Sequence, residues 1–159
     1  RRRQSRKSRR RYTKLGGIQV TTSVRAEDAA YIAGLLDGEG HISVTFDHKR
    51  HHYLEVKITN TNVAVLQFVE SVFGGRIWVH SKATPNRLTA YRWGIGGKGL
   101  DEFLETIQPF VRIRARQVEA ALAFRATVRP FHATGQTAKL NTCEMEVRER
   151  LRQEINTRH

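Results

Sequence analysis

Two pairs of short segments, in which apolar and polar residues alternate, constrain the fold of this chain more than any other feature. The first pair is "HISVTFD" and "YLEVKIT", and the second is "RIWVHSK" and "LTAYRWGI". A period of two is typical of half-buried strands, and "TPNR" in the second pair is a turn signal. Each pair follows a segment in which apolar residues have helical spacing and which ends at glycines. The predicted order is therefore helix, two strands, helix, two strands.

Helical spacing of apolar residues predicts five helices in all. They span about 27–36, 62–73, 100–106, 114–127 and 141–155. Asn141, with Glu144 three residues on, would cap the last of them. The order α-ββ-α-ββ-α-α-α favours an α+β fold, with one antiparallel sheet covered by helices on one face. We therefore expect a single domain over residues 23–159 that ends in a C-terminal helix.

Positive charge is concentrated at the start of the chain. The formal net charge is +13, and the first 14 residues hold nine Lys or Arg and no acidic residue. We expect residues 1–22 to form a flexible basic arm that adds salt-dependent affinity for a polyanion. Nucleic acid is the leading candidate partner. A solvated arm without a partner is the alternative interpretation.

The composition limits the cellular compartments expected for this protein but does not identify one. The single cysteine, Cys143, excludes an intrachain disulfide, and no apolar run approaches the roughly 20 residues of a membrane span. We expect an intracellular protein without a membrane partner, in a bacterial cytoplasm or in a chloroplast or mitochondrion. The chain begins with Arg, which fits a fragment, a processed product or the continuation of a larger reading frame. An Arg- and Ser-rich start without acids is also typical of an organelle transit peptide.

The strand residues assigned to the face away from the core are hydrogen-bond donors, acceptors and flat rings. This mixture suits contacts to base edges in the major groove of double-stranded DNA, and the hairpin tip "HKRHH" adds positive charge. An ordinary solvated sheet face is the alternative, but the charge excess favours DNA. The candidate DNA-contacting residues are Ser43, Thr45, Asp47, Lys49, Arg50, Tyr53, Glu55, Lys57, Arg76, Trp78, His80, Lys82, Arg87, Tyr91 and Trp93.

The most apolar predicted helix ends in two acids among glycines, in the segment "IAGLLDGEG" at 32–40. Carboxylates at a helix C-terminus oppose the helix dipole, which favours either solvent exposure or a bound cation. The segment resembles the nine-residue signature of the LAGLIDADG homing endonucleases, with an aromatic residue before it and an alternating strand after it. The pieces "ITNTN", "FGG" and "QPFVRIRARQ" extend the resemblance over roughly residues 26–127.

The resemblance implies an α-ββ-α-ββ-α core with a saddle-shaped sheet and a particular mode of assembly. The motif occurs once, and family members with one copy are homodimers whose motif helices cross at a twofold axis. Twofold symmetry in the protein implies a near-palindromic DNA target. Small residues in the motif would let the partner helix approach closely. The residues expected at this dimer interface are Ile32, Ala33, Gly34 and Leu36.

The resemblance also implies roles in phosphodiester hydrolysis. Glu39 would bind Mg²⁺, or another divalent cation such as Mn²⁺ or Ca²⁺, with the backbone carbonyl of Gly38 as a further ligand. Asp37 would mainly accept backbone hydrogen bonds at the helix junction and would have a secondary electrostatic role in catalysis. Asn60 would position the attacking water, and Arg114 would lie near the scissile phosphate.

This chain departs from the family at the position of a second basic residue, so we retain two alternative functions. Some members have a second basic residue early in the helix after the second strand, where this chain has Val63 and Ala64; Arg112 and Lys98 are candidate substitutes. We expect a site-specific double-strand DNA endonuclease of the homing type, Mg-dependent and homodimeric, with a long near-palindromic target. The alternatives are a LAGLIDADG-type maturase, whose partner would be intron RNA, and a DNA-binding protein that does not cut.

Overall fold

A computed structural model of the chain describes residues 24–46, 52–97, 99–128 and 142–157. Its helices and strands confirm the predicted order. They are α1 Ala26–Glu39, β1 Gly40–Phe46, β2 His52–Asn60, α2 Val63–Phe73, β3 Arg76–Ser81, β4 Ala90–Gly96, α3 Gly99–Ile107, α4 Ala115–Ala126 and α5 Thr142–Asn156. The basic arm, the hairpin tip and the proposed Asn141 cap lie outside the described residues. Within the described ranges, no helix has the length and apolar character needed to cross a membrane.

The four strands form one antiparallel sheet in the order β1-β2-β4-β3. Gly40, at the start of β1, lies opposite Ile58, two residues before the end of β2. Asn60, the last residue of β2, lies opposite Tyr91 near the start of β4. This register brings the end of α1, the start of β1 and the end of β2 to the same end of the sheet.

Alternation along the strands buries one face of the sheet under the helices. Ile42, Val44, Val56 and Ile58 are buried on this face, each at most 2% exposed. Trp93 of β4 is fully buried, and its ring centroid lies 5.3 Å from that of Phe103 in α3. Its indole N–H donates to the carbonyl of Gly74 at 2.8 Å. Full burial of side chains of this size contributes about 1.5–3 kcal/mol each, so the shared core holds sheet and helices together.

The first helix ends later than the sequence predicted. An end near Leu36, with Gly38 and Gly40 as the stop, was predicted; α1 continues through Glu39 and is closed by Gly40, whose N–H donates to the carbonyl of Leu36. A Cβ at Gly40 would lie 2.3 Å from that carbonyl oxygen, whereas a Cβ at Gly38 would meet no atom within 4 Å. Only Gly40 is therefore required by the close approach of the backbone, and Glu39 belongs to the last helical turn.

The C-terminal helix α5 packs against both α4 and β1. Asn156, its last residue, exchanges two hydrogen bonds with the backbone of Val44, one from the Val44 N–H and one to the Val44 carbonyl, both at 3.1 Å. Among the described strands β1 lies at the edge of the sheet, where backbone groups lack a neighbouring strand. The Asn156 amide satisfies two of them, so the end of α5 is fixed to the sheet.

Candidate functional site

Glu39 lies in the last turn of α1, at the end of the sheet where β1 begins. The side chain is exposed, and its carboxylate makes no hydrogen bond or ion pair with any residue that the structure describes. The space beside the preceding residue, Gly38, is open. The last acid of the motif is therefore available to a ligand from outside the chain.

Asp37, two residues earlier, is fully engaged by backbone donors. One carboxylate oxygen accepts from the N–H of Arg112 at 2.8 Å and of Ile113 at 3.2 Å, and the other accepts from the N–H of Arg114 at 3.0 Å. These N–H groups precede α4, where a helix start leaves donors without partners and favours negative charge. Asp37 thus caps α4 and joins it to α1.

Arg114, at the start of α4, makes a second contact between α4 and α1. Its Nε donates to the carbonyl of Leu36 at 2.9 Å, the same oxygen that accepts from Gly40, and its Nη1 donates to Oε1 of Gln117 at 3.0 Å. Its remaining nitrogen, Nη2, makes no hydrogen bond within the described part of the chain. The guanidinium is therefore anchored to the helical turn that carries Glu39, with one nitrogen still able to donate.

The strand register places Asn60 at the same end of the sheet as Glu39. Asn60 ends β2, two residues beyond the partner of Gly40. Its side-chain oxygen accepts from the N–H of Asn62 at 2.8 Å, a local turn that leads into α2. Within the described ranges its amide nitrogen makes no hydrogen bond, so it can donate to a water or a phosphate.

Two residues near this site were missed by the sequence reasoning, His41 and Arg92. His41 follows the motif directly and lies opposite Lys57. The pKa of His41 is lowered, first by partial loss of hydration and then by the positive charges of Lys57, Arg114 and Arg92. His41 shares the outward face of its strand with Ser43 and Thr45, which was the signal that could have found it.

The outward face of the sheet, here called the open face, carries a network of polar contacts. Arg92 donates from Nε to the Thr59 hydroxyl at 3.0 Å, and its Nη2 lies 2.9 Å from Nε2 of His80. Lys57 forms an ion pair with Glu55. The predicted DNA-contacting residues found half-buried or exposed on this face are Thr45, Tyr53, Glu55, Lys57, Arg76, Trp78 and His80. Exposed Lys82 and Arg87 lie in the β3–β4 connection, whereas Ser43 is only 7% exposed.

The placement of Trp93 on the open face was wrong, and Tyr91 shares the face that Trp93 occupies. Trp93 is fully buried in the core, and Tyr91 is half-buried against it. The outward residue of this part of β4 is Arg92, which lies opposite Trp78. Tyrosine and tryptophan each combine a flat ring with a polar group and so suit either face, and Gly94 on the outward side gives no signal.

Three of the four residues expected at a dimer contact belong to the core of their own chain. Ile32, Ala33 and Leu36 are fully buried, because helical spacing turns them together toward the sheet. Their burial in the core leaves these three side chains no surface for contact with a second copy. Gly34 is exposed, and a Cβ there would meet no atom within 4 Å. With Tyr31, which is 50% exposed, and Gly38, it forms an exposed stripe of α1, here called the α1 stripe.

Several predicted site residues cannot be placed, because Asp47, Lys49, Arg50 and Lys98 lie outside the described residues. Arg112, the other candidate for the second basic residue, is exposed beside the Asp37 cap. In the described ranges, no three His, Cys, Asp or Glu side chains come together as metal ligands. Of the carboxylates described at this site, that of Glu39 is the one without a partner, because Asp37 accepts three backbone hydrogen bonds.

The comparison with protein families matches residues 26–108, from the first residue of α1 to just after α3, to the LAGLIDADG-like domain. This range is more than half of the chain, and the chain belongs to the LAGLIDADG family. A comparison with curated protein sequences gives no match.

Solved structures of LAGLIDADG homing endonucleases share the fold. The archaeal intron-encoded homing endonuclease I-Vdi141I, complexed with DNA, is 20% identical over 84% of this chain and 87% of its own, with a TM-score of 0.55. The homing endonuclease I-TnaI is 17% identical over 84% and 89%, with a TM-score of 0.57. I-SmaMI bound to cleaved DNA is 17% identical over 80% and 43%, with a TM-score of 0.60, and I-SmaMI has also been seen on an uncleaved target with calcium ions.

Proposed function

We propose that this protein is a site-specific double-strand DNA endonuclease of the homing type, acting as a homodimer with Mg²⁺. One observation carries the proposal: exposed Glu39 lies at the end of the motif helix, in the same helical turn to which the guanidinium of Arg114 is anchored. Family membership and the DNA complexes of I-Vdi141I and I-SmaMI support it.

The DNA would lie along the open face of the sheet. That face presents arginine, lysine, histidine and aromatic side chains from all four strands, and such groups make both phosphate and base-edge contacts. The basic start of the chain would add phosphate contacts without sequence preference. Arg92, which the sequence reasoning missed, joins the proposed contacts.

A second copy of the chain would pack along the α1 stripe. Tyr31, Gly34 and Gly38 face away from the core, and the two glycines leave room for a closely approaching helix. Twofold symmetry would then bring the Glu39 residues of both copies together. Among the described residues, Glu39 is the one acid at this site whose carboxylate has no partner, so we propose that one cation is shared between the two copies.

The donors at this site fit a hard cation. Carboxylate and carbonyl oxygens are the ligands that Mg²⁺ prefers, and Glu39 and the Gly38 carbonyl of both copies would hold it together with phosphate oxygens and water. Bound there, Mg²⁺ supplies an activated water and stabilises the leaving 3′ oxygen. The chain itself would orient the water through the Asn60 amide and hold a phosphate oxygen at Nη2 of Arg114, while Asp37 keeps α4 in place.

The proposal is tested by cleavage-site selection, in which the protein is incubated with a library of duplexes and Mg²⁺. We expect paired nicks on the two strands of a near-palindromic site. Glu39→Gln should abolish cleavage and leave binding in Ca²⁺ intact, whereas Glu27→Gln, an exposed acid in the first turn of the same helix, should cut normally.

Two results would contradict this account. Cleavage by Glu39→Gln at the normal rate would overturn the metal assignment. No cleavage by the native sequence with any divalent cation, together with tight binding of intron RNA, would favour the maturase.

A further inference from the structure

Gln117, in the first turn of α4, is a buried polar side chain with partners at both ends. It is 4% exposed. Its Oε1 accepts from Nη1 of Arg114 at 3.0 Å, and its Nε2 donates to the carbonyls of Ile155 at 2.9 Å and Thr157 at 3.1 Å. The guanidinium can only donate and the carbonyls can only accept, so the amide has one satisfied orientation.

The two carbonyls belong to a rigid part of the molecule. Ile155 is fully buried, and the intervening Asn156 is bonded to the backbone of β1 in both directions. The end of α5 is thus held by the sheet on one side and by α4 on the other. The end of α5 lies beyond residues 26–108, the range that matches the family model.

The guanidinium of Arg114 is planar, and two bonds at different nitrogens fix its plane. The carbonyl of Leu36 in α1 holds Nε, and Gln117 of α4, itself bonded to the end of α5, holds Nη1. The direction in which Nη2 points is then set by the protein before any ligand arrives. A pre-oriented donor loses less rotational freedom when it meets a phosphate oxygen than one on a free side chain.

We propose that Gln117 is a positioning residue for Arg114, through which the end of α5 sets the orientation of the guanidinium toward the scissile phosphate. This inference rests on the proposed endonuclease function. It makes the C-terminal helix part of the cleavage site, although α5 itself carries none of the groups that would touch the DNA backbone there.

The test compares single-turnover cleavage in Mg²⁺ with DNA affinity in Ca²⁺. Gln117→Met keeps the shape of the side chain and removes both hydrogen-bonding ends; we expect cleavage to slow by about 10- to 100-fold, as for a displaced catalytic group, with affinity little changed. Gln153→Met is the matched control, because among the described residues that exposed amide bonds only to Glu149 of its own helix, and it should cut normally.

A double variant separates positioning from packing. If Gln117 acts through Arg114, Gln117→Met should not slow the Arg114→Ala variant any further, because the group that it orients is gone. Multiplying losses would overturn the proposal. A lower melting temperature and weaker binding with unchanged cleavage would also overturn it and would leave Gln117 a packing residue.

A measurement that needs no cleavage keeps the inference separate from the proposed function. The Nε–H of Arg114 is hydrogen-bonded to Leu36, so its ¹⁵N NMR signal should exchange slowly with solvent. Gln117→Met should speed this exchange at least several-fold, and Gln153→Met should not. Unchanged exchange would overturn the positioning role, whereas failure of the native protein to cut any duplex would overturn only the endonuclease proposal.

Discussion

Asp37 and Glu39 lie two residues apart in one helical turn, yet their surroundings differ completely. Asp37 accepts three backbone hydrogen bonds at the start of α4, and Glu39 accepts none from the described residues. The motif marks both acids, and the family resemblance predicts that the last one binds a cation. The contacts of Asp37 join residues more than 70 positions apart, and no local pattern in the sequence predicts such contacts.

This contrast predicts opposite effects on stability. Asp37→Ala leaves three donors at a helix start without their partner, and we expect a loss of about 1–3 kcal/mol in the free energy of unfolding. Glu39→Gln should change it by less than about 0.5 kcal/mol, as at most exposed positions. Urea unfolding of both variants is the measurement, and an equal loss in the two would contradict the structural division of roles.

His41 provides a pH-dependent probe of the same site. Its pKa is lowered by loss of hydration and by Lys57, Arg114 and Arg92, so Arg114→Gln should raise that pKa toward its ordinary value. Arg116→Gln, an exposed neighbour on α4, is the control and should leave the pKa of His41 unchanged. An NMR titration of the imidazole measures the pKa in each variant. The same pKa of His41 in both variants would mean that Arg114 lies too far from His41 to affect it.

The sign of the linked stability change follows from the direction of this shift. A histidine with a lowered folded pKa has no effect on stability above its ordinary pKa of about 6.5, where it is neutral in both states. As pH falls through that value toward the folded pKa, the unfolded chain binds the proton first and the native state loses stability. The Arg114→Gln variant should lose less of its stability over this window.

At the scale of elements, periodicity was enough to predict the order of helices and strands but could not orient all of them. β1 and β2 alternate cleanly, and their buried faces were predicted correctly. The tyrosine and tryptophan of β4 suit either face, and α1 is apolar around most of its circumference, so the buried side of each was decided by tertiary packing. The register of the sheet then carried Asn60 and Glu39 to the same end, a result of pairing between distant residues.

The glycines of the motif provide a test at this scale. Gly40→Ala would place a Cβ 2.3 Å from the carbonyl of Leu36, and we expect destabilisation of about 2 kcal/mol or more. Gly38→Ala enters open space in a helix and should stabilise the isolated chain by about 0.5–1 kcal/mol while weakening self-association. Thermal unfolding and sedimentation separate these effects. Equal destabilisation by the two changes would contradict the end of α1 at Gly40.

At the scale of the whole molecule, the open face, the α1 stripe and the exposed Glu39 belong to one proposed assembly. The open face would follow the DNA, and the stripe would pair two copies so that both Glu39 carboxylates meet at its backbone. The basic arm would add charge to this surface, an interpretation that rests on sequence alone. In the part of the chain that the structure describes, one copy brings a single partnerless carboxylate to this end of the sheet, so the proposed cleavage site needs both copies.

The most direct test of this assembly is the proximity of Glu39 in two copies bound to DNA. A Glu39→Cys variant would be prepared in a Cys143→Ser background, because Cys143 is an exposed thiol. It would then be treated with a short bis-maleimide on the selected duplex in Ca²⁺. We predict a covalent dimer at high yield for Glu39→Cys and almost none for a Glu27→Cys control. Cross-linking at neither position, with one chain bound per duplex, would contradict the account.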